Sequence, residues 1–235
     1  MQKTIVVTGC TKGIGLAVVQ TFAKLGFNVA GCARNQADLL LLDNELQTIN
    51  PNGKHTLFTC DVSKKEEVLQ FIDDINAAYQ KVDVLVNNAG VFIPGKVIEE
   101  KDGTLEHLFQ TNVNSAYYMS KGFLPPMMEA KSGHIFNICS IASLQAYEAG
   151  GSYSISKFAM LGLSKQLRHE LKNFGVRVTA VMPGATLTDS WAGVDLPADR
   201  FIQAEDVAKT IQAVYELSSS ADVEEIVIRP QLGDI

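Results

Sequence analysis

The stretch from Thr4 to Ala33 leaves little choice of fold. Thr4-Ile5-Val6-Val7-Thr8 is a β-branched run that reads as a buried strand, and Gly9-Cys10-Thr11-Lys12-Gly13-Ile14-Gly15 follows it directly. Leu16, Val19, Phe22 and Ala23 then recur on one helical face, and Gly26 marks the helix C-terminus. A second strand, Asn28 to Ala33, stops at Arg34-Asn35. Strand, glycine turn, helix and strand make a βαβ unit, the usual opening of a dinucleotide-binding sheet. The glycines are spaced G-x-x-x-G-x-G rather than the commoner G-x-G-x-x-G, but the physics is the same. Small residues let the backbone approach a pyrophosphate at a helix N-terminus. A plain tight turn is the competing reading of these glycines taken alone.

The alternation continues to the end of the chain. Helical patterns are expected over Asp38 to Ile49, behind a capping box at Ser63-Lys64-Lys65-Glu66, over Leu105 to Glu129, from Tyr153 to about Asn173, and over Glu205 to Leu217. Pro125-Pro126 is expected to kink or break the third of these. Between them lie strands at Thr56 to Cys60, Val82 to Val86, His134 to Cys139, Val176 to Val181 and Glu225 to Ile228. Strands alternating with helices predict an α/β fold with a doubly wound, seven-stranded parallel sheet in a three-layer α/β/α arrangement. No linker, repeat or low-complexity stretch divides residues 1–235, which predicts one domain. Ligands in such sheets bind beyond the carboxyl ends of the strands. Here those ends carry the glycine loop, Arg34, Asp61, Asn88, Ser140 and Pro183-Gly184.

Tyr153 and Lys157 lie four residues apart, so a helix puts them on one face, one turn from each other. A free phenol, with a pKa of about 10, is a poor base at neutral pH, and a neighbouring ammonium favours the phenolate. Y-x-x-x-K alone is common on surface helices; its context gives it meaning, with Ser140 thirteen residues upstream.

The bulk numbers exclude several classes. A net charge of −6 without any basic tract argues against a nucleic-acid binder. No apolar run approaches the roughly 20 residues of a membrane span, and the first apolar run leads straight into the glycine loop, leaving no room for a signal peptide. Cys10, Cys32, Cys60 and Cys139 are scattered, as reduced structural thiols of a cytoplasmic protein would be. The four histidines lack ligand spacing, so no metal site is expected.

The chain resembles the short-chain dehydrogenase/reductase family. The resemblance rests on T-G-x-x-x-G-x-G at Thr8 to Gly15, N-N-A-G at Asn87 to Gly90, Asn112, Ser140, Y-x-x-x-K at Tyr153 and Lys157, and P-G at Pro183-Gly184. These motifs run in the family's order over essentially the whole chain. The resemblance implies oxidoreduction of a carbonyl or alcohol with NAD(P)(H), by a homotetramer or homodimer. It makes Tyr153 the general acid or base and gives Lys157 the tuning of Tyr153 and a hold on the nicotinamide ribose. Ser140 would bind the substrate oxygen, and Asn112 would hold a relay water near Lys157. The competing readings are a helix-kink residue for Asn112 and a mere strand-end hydroxyl for Ser140.

The resemblance also assigns cofactor contacts. Gly9, Thr11, Gly13, Ile14 and Gly15 would surround the pyrophosphate, with Lys12 in the same loop as a second cation for a 2′-phosphate. Asp61 and Val62 would meet the adenine, while Asn88, Ala89 and Gly90 would border the adenosine ribose. Pro183, Gly184, Thr186 and Thr188 would flank the nicotinamide. The second strand ends Gly31-Cys32-Ala33-Arg34, with no acid to repel a 2′-phosphate, so Arg34 and Lys12 point to NADP(H). Cys139 stands where a second serine is common in the family and is expected to be buried and inert.

Substrate selection is expected to lie in Phe92 to Glu99, Ile141 to Gly151 and the segment after Thr188. Phe92, Leu144, Tyr147 and Trp191 suggest an apolar or aromatic carbonyl compound. The C-terminal Val223 to Pro230 resembles bacterial members described as sepiapterin-reductase-like or 3-oxoacyl-carrier-protein-reductase-like. Two other classes remain open: a non-catalytic NADP(H)-binding sensor and a structural oligomer.

Overall fold

A computed structural model describes residues 2–191 and 193–235. Seven strands form one all-parallel sheet: β1 (Thr4–Thr8), β2 (Asn28–Ala33), β3 (His55–Thr59), β4 (Val84–Asn87), β5 (Gly133–Ile138), β6 (Val176–Pro183) and β7 (Glu225–Ile228). Their order is β3-β2-β1-β4-β5-β6-β7, so the winding reverses between β1 and β4. That reversal opens a crevice above neighbouring carboxyl ends. The glycine loop leaves β1 there, and Asn88-Ala89-Gly90 leaves β4 beside it.

Helices cover both faces, as a parallel sheet requires. α1 (Gly13–Lys24), α2 (Gln36–Ile49) and α7 (Ala204–Tyr215) pack one side, where Val18, Phe22, Leu46 and Ile211 are fully buried. α3 (Lys65–Ala78), α5 (Ser115–Glu129) and α6 (Gly151–Leu171) pack the other around Phe71, Ile75, Phe123 and Met127. The short α4 (Thr104–Phe109) precedes α5. α1 closes with the paired backbone bonds Gly26 N–H to Ala23 and Phe27 N–H to Phe22, and the Phe22 and Phe27 rings meet edge-on at 5.1 Å.

Two expectations need correction. The proline pair does not break its helix: α5 runs through Pro125 and Pro126. Pro126 offers no N–H to Gly122 four residues back, and that carbonyl instead accepts from Asn76 Nδ2 at 3.3 Å. The interruption lies upstream, in a π turn over Gln110–Asn114, where Ser115 N–H reaches Gln110 O. Ser115 Oγ then donates to Thr111 O at 2.6 Å. Ser115→Ala removes that bond and is expected to lower unfolding stability by about 0.5–1.5 kcal/mol, read from the urea midpoint.

The capping box at Ser63 to Glu66 does not form. Asp61 Oδ1 accepts from both Ser63 N and Ser63 Oγ, at 3.0 and 2.8 Å, an Asx turn that takes the hydroxyl away from the helix. Lys64 becomes the residue before α3, without a side-chain cap. Glu67, not Glu66, folds back to accept from Asp61 N–H at 2.7 Å.

Candidate active site

The site begins with Thr8, the last residue of β1. Its Oγ1 accepts from Asn88 N and Ala89 N at 3.0 and 2.9 Å, which ties β4's exit to β1's. Asn88 Nδ2 returns two bonds, to Thr8 O at 2.9 Å and Gly9 O at 3.1 Å. The side chain expected beside the adenosine ribose therefore braces the glycine loop. Gly15 has no room for a side chain: a Cβ there would run into Gly9 O and lie 2.5 Å from Asn88 Nδ2. The loop's shape is thus fixed by contact with its neighbours.

α6 brings Tyr153 and Lys157 to the same crevice. Lys157 is buried and its Nζ donates to Ile138 O at the end of β5, at 2.9 Å. It lies 5.8 Å from the centre of the Tyr153 ring. Among the described residues the Tyr153 hydroxyl has no hydrogen-bond partner within the chain, while the Phe92 ring meets its ring edge-on at 4.8 Å. Ser140, just past β5, accepts from Ala142 N at 3.1 Å and keeps its side chain on the cavity wall. Cys139 beside it is buried, and burial pushes its thiol up, as fits an inert residue.

Asn112 is the buried centre of the π turn. Its Oδ1 accepts from Val91 N at 2.8 Å, and its Nδ2 donates to Val91 O and Ser156 Oγ, both at 3.0 Å. It clamps the strand β4 exit to α6. A Cβ on Gly90 would lie 3.2 Å from Asn112 Oδ1 and 3.7 Å from Lys157 Nζ, so Gly90 sits at the lysine end of the crevice.

One cavity of about 1090 Å³ takes in nearly all the sequence-selected positions. Gly9, Thr11, Lys12, Gly13, Ile14, Arg34, Asp61, Val62, Asn88, Ala89, Gly90, Ser140, Tyr153, Lys157, Pro183, Gly184, Thr186 and Thr188 line it. Gly15 and Asn112 stand behind its wall. Of the residues expected to select substrate, Phe92, Tyr147 and Trp191 line the cavity. Leu144 does not and is solvent-exposed. Burial raises the Tyr147 phenol to about 12, with the nearby Tyr153 phenol adding to the effect, so it is a hydrogen-bond donor at neutral pH.

The wall also includes residues the sequence did not single out: His107, Thr111, Gln145, Asp189 and Asp234. His107 and Thr111 are one helical turn apart just before Asn112, a spacing that was legible. Nothing local marks Asp234, which ion-pairs with Arg229.

The chain is similar to known proteins over nearly its whole length. The family model for short chain dehydrogenase matches residues 3–197. A sepiapterin reductase of Chlorobaculum tepidum is 31% identical over 244 residues, covering 100% of this chain and 99% of that protein. The chain belongs to the short-chain dehydrogenase family. It is accordingly an oxidoreductase of the short-chain type. Among solved structures, a metagenomic short-chain oxidoreductase in complex with NADP superposes with a TM-score of 0.85 at 29% identity, over 97% of both chains. The L-sorbose reductase of Gluconobacter frateurii, complexed with NADPH and L-sorbose, gives 0.90 at 25% identity, over 97% of this chain and 95% of that one.

The two cations near the glycine loop stand in different surroundings. Lys12 Nζ is paired with Asp189 at 3.1 Å, and that contact holds the ammonium above its ordinary pKa. Arg34 is exposed and makes no ion pair among the described residues. Among the described residues no helix is long and apolar enough to cross a membrane, and among the same residues no group of three or more His, Cys, Asp or Glu could hold a metal ion.

Proposed function

We propose that this short-chain dehydrogenase transfers a hydride between NADP(H) and a carbonyl or alcohol, with Tyr153 as general acid in reduction and base in oxidation. The observation that carries the reading is the meeting of Tyr153, Lys157, Ser140, the glycine loop and Arg34 on one cavity wall. The residues suit the cofactor: the closely packed glycine loop favours a pyrophosphate, and Arg34 favours a 2′-phosphate. The NADP and NADPH complexes of related enzymes support the same choice. When bound, the nicotinamide supplies or accepts the hydride.

In reduction, negative charge develops on the substrate oxygen as its carbon is reduced. Tyr153 Oη gives that oxygen its proton, and Ser140 Oγ donates a hydrogen bond to it. The Lys157 ammonium, anchored on Ile138 O, stabilises the phenolate left behind and has further N–H bonds free for a ribose. Both Nδ2 hydrogens of Asn112 are committed, so its acceptor groups are what remain to hold a relay water near Lys157.

Asp189 competes with a phosphate for the Lys12 ammonium. Asp189→Asn is therefore expected to tighten NADPH a few-fold at low salt, with little effect on NADH, as measured by titration calorimetry. We propose residues 1–235 as a single domain that contains its own active site. Exposed Tyr117, Ile155 and Phe158 on α5 and α6 support self-association as a dimer or tetramer, which sedimentation would read.

Phe92, Tyr147 and Trp191 favour an apolar or aromatic carbonyl compound, and His107, Thr111 and Gln145 add polar contacts. A screen of NADPH-linked reduction against pterin ketones, 3-oxoacyl thioesters and small aromatic carbonyls tests the reading. Turnover of one class supports it. Tight NADPH binding without turnover of any carbonyl or alcohol replaces it with the non-catalytic sensor.

A further inference from the structure

Tyr153 lies in the first turn of α6, where backbone N–H groups have no partner within the helix. The residue before that helix is Gly150, which brings no side chain to cap it. The cap comes from 52 residues upstream. Glu100 Oε1 accepts from Ser152 N–H at 2.8 Å, and Glu100 Oε2 accepts from the Ser152 hydroxyl. A carboxylate is well placed at a helix N-terminus, where the peptide dipoles leave positive charge.

Gly151 is shaped around that carboxylate. Its φ is +40°, and a Cβ there would run into Glu100 Oε1 and stand 2.7 Å from Gly95 O. The same loop touches the helix entrance twice more: Gly95 N–H donates to Ala149 O at 3.1 Å, and Phe92 rests edge-on against Tyr153 at 4.8 Å. The loop that walls the substrate cavity and the turn that carries the phenol are thus joined at Glu100.

We infer that Glu100 is a positioning residue: by capping Ser152 it sets where the Tyr153 hydroxyl stands relative to Ser140 and Lys157. The inference rests on the acid–base reading of Tyr153. Without the cap the first turn of α6 frays, and the phenol loses its fixed place while Lys157, one turn deeper and anchored on Ile138 O, keeps its own.

The test compares Glu100→Ala, Glu100→Gln and Tyr153→Phe in the full chain, on a carbonyl substrate the wild type reduces. Active sites are counted by NADPH titration, so that unfolded protein does not enter kcat. Glu100→Ala is expected to lower kcat per bound NADPH about tenfold, since misplacement by about 1 Å is worth about 10²-fold. It is also expected to raise the deuterium isotope effect from 4-deuterated NADPH and to speed amide exchange at residues 152–154 in the cofactor-free protein. Glu100→Gln keeps an oxygen for the Ser152 amide and is expected to recover most of the rate. Wild-type kcat and isotope effect in Glu100→Ala overturn the inference, as does a Gln variant no better than Ala. Loss of NADPH-titratable sites with kcat per site unchanged also overturns it, leaving Glu100 a residue of folding alone. Turnover that survives in Tyr153→Phe overturns the underlying reading instead.

Discussion

Tyr153→Phe is expected to lower kcat by about 10²–10⁴-fold, the range a positioned general acid or base contributes. The substitution is narrow. It removes one oxygen that has no partner among the described residues, so no buried group is left unsatisfied. The ring stays, and with it the edge-on contact to Phe92 and the place beside Lys157. Stability and NADPH affinity should therefore match the wild type, as melting and titration would read, while single-turnover hydride transfer slows by the full factor. Replacing the phenol with a hydrocarbon also removes the proton donor outright, so raising the substrate concentration cannot restore the rate. A variant that melts normally, binds NADPH normally and still turns over at the wild-type rate would remove Tyr153 from the chemistry.

What the sequence disclosed and what it hid follow from distance along the chain. Tyr153 and Lys157 were legible because a helix fixes residues four apart on one face, whatever the tertiary structure does. The glycine loop was legible because close backbone approach restricts residue type at each position. The strand ends were legible because β-branched runs are bounded by polar residues, and the sheet order then carried them to one crevice. The misses depend on partners far away. The break at Asn112 was open only as a helix-kink reading, since Val91, 21 positions earlier, holds its π turn, and the proline pair is tolerated because Asn76 reaches Gly122 from another helix. The capping box failed for the opposite reason, since Asp61 offered Ser63 a nearer acceptor than the helix did. Glu100 has no local signal at all. Only the path of the loop shows that it meets Ser152.

Arg34→Ala is expected to weaken NADPH by about 10- to 150-fold, the loss of charge-assisted hydrogen bonds of about 1.5–3 kcal/mol, with NADH nearly unaffected. The sign follows from where charge stands at the end of β2. Arg34 is exposed, without an ion pair among the described residues, and so loses little in turning to a phosphate. Lys12 is already engaged by Asp189, which offsets part of its charge toward a phosphate, in an exposed pair that salt screens. The two cations should therefore contribute unequally, with Arg34→Ala costing more than Lys12→Ala. Asp38 and Asp61 also line this end of the cavity. Their charges oppose a 2′-phosphate more strongly once Arg34 is gone, which adds to the loss for NADPH and leaves a ribose hydroxyl in NADH untouched. Raising the ionic strength should narrow the wild-type preference for NADPH and barely move that of Arg34→Ala. A wild type that binds NADH more tightly than NADPH would show instead that Asp38 and Asp61 outweigh Arg34, and the assignment of the cofactor would reverse.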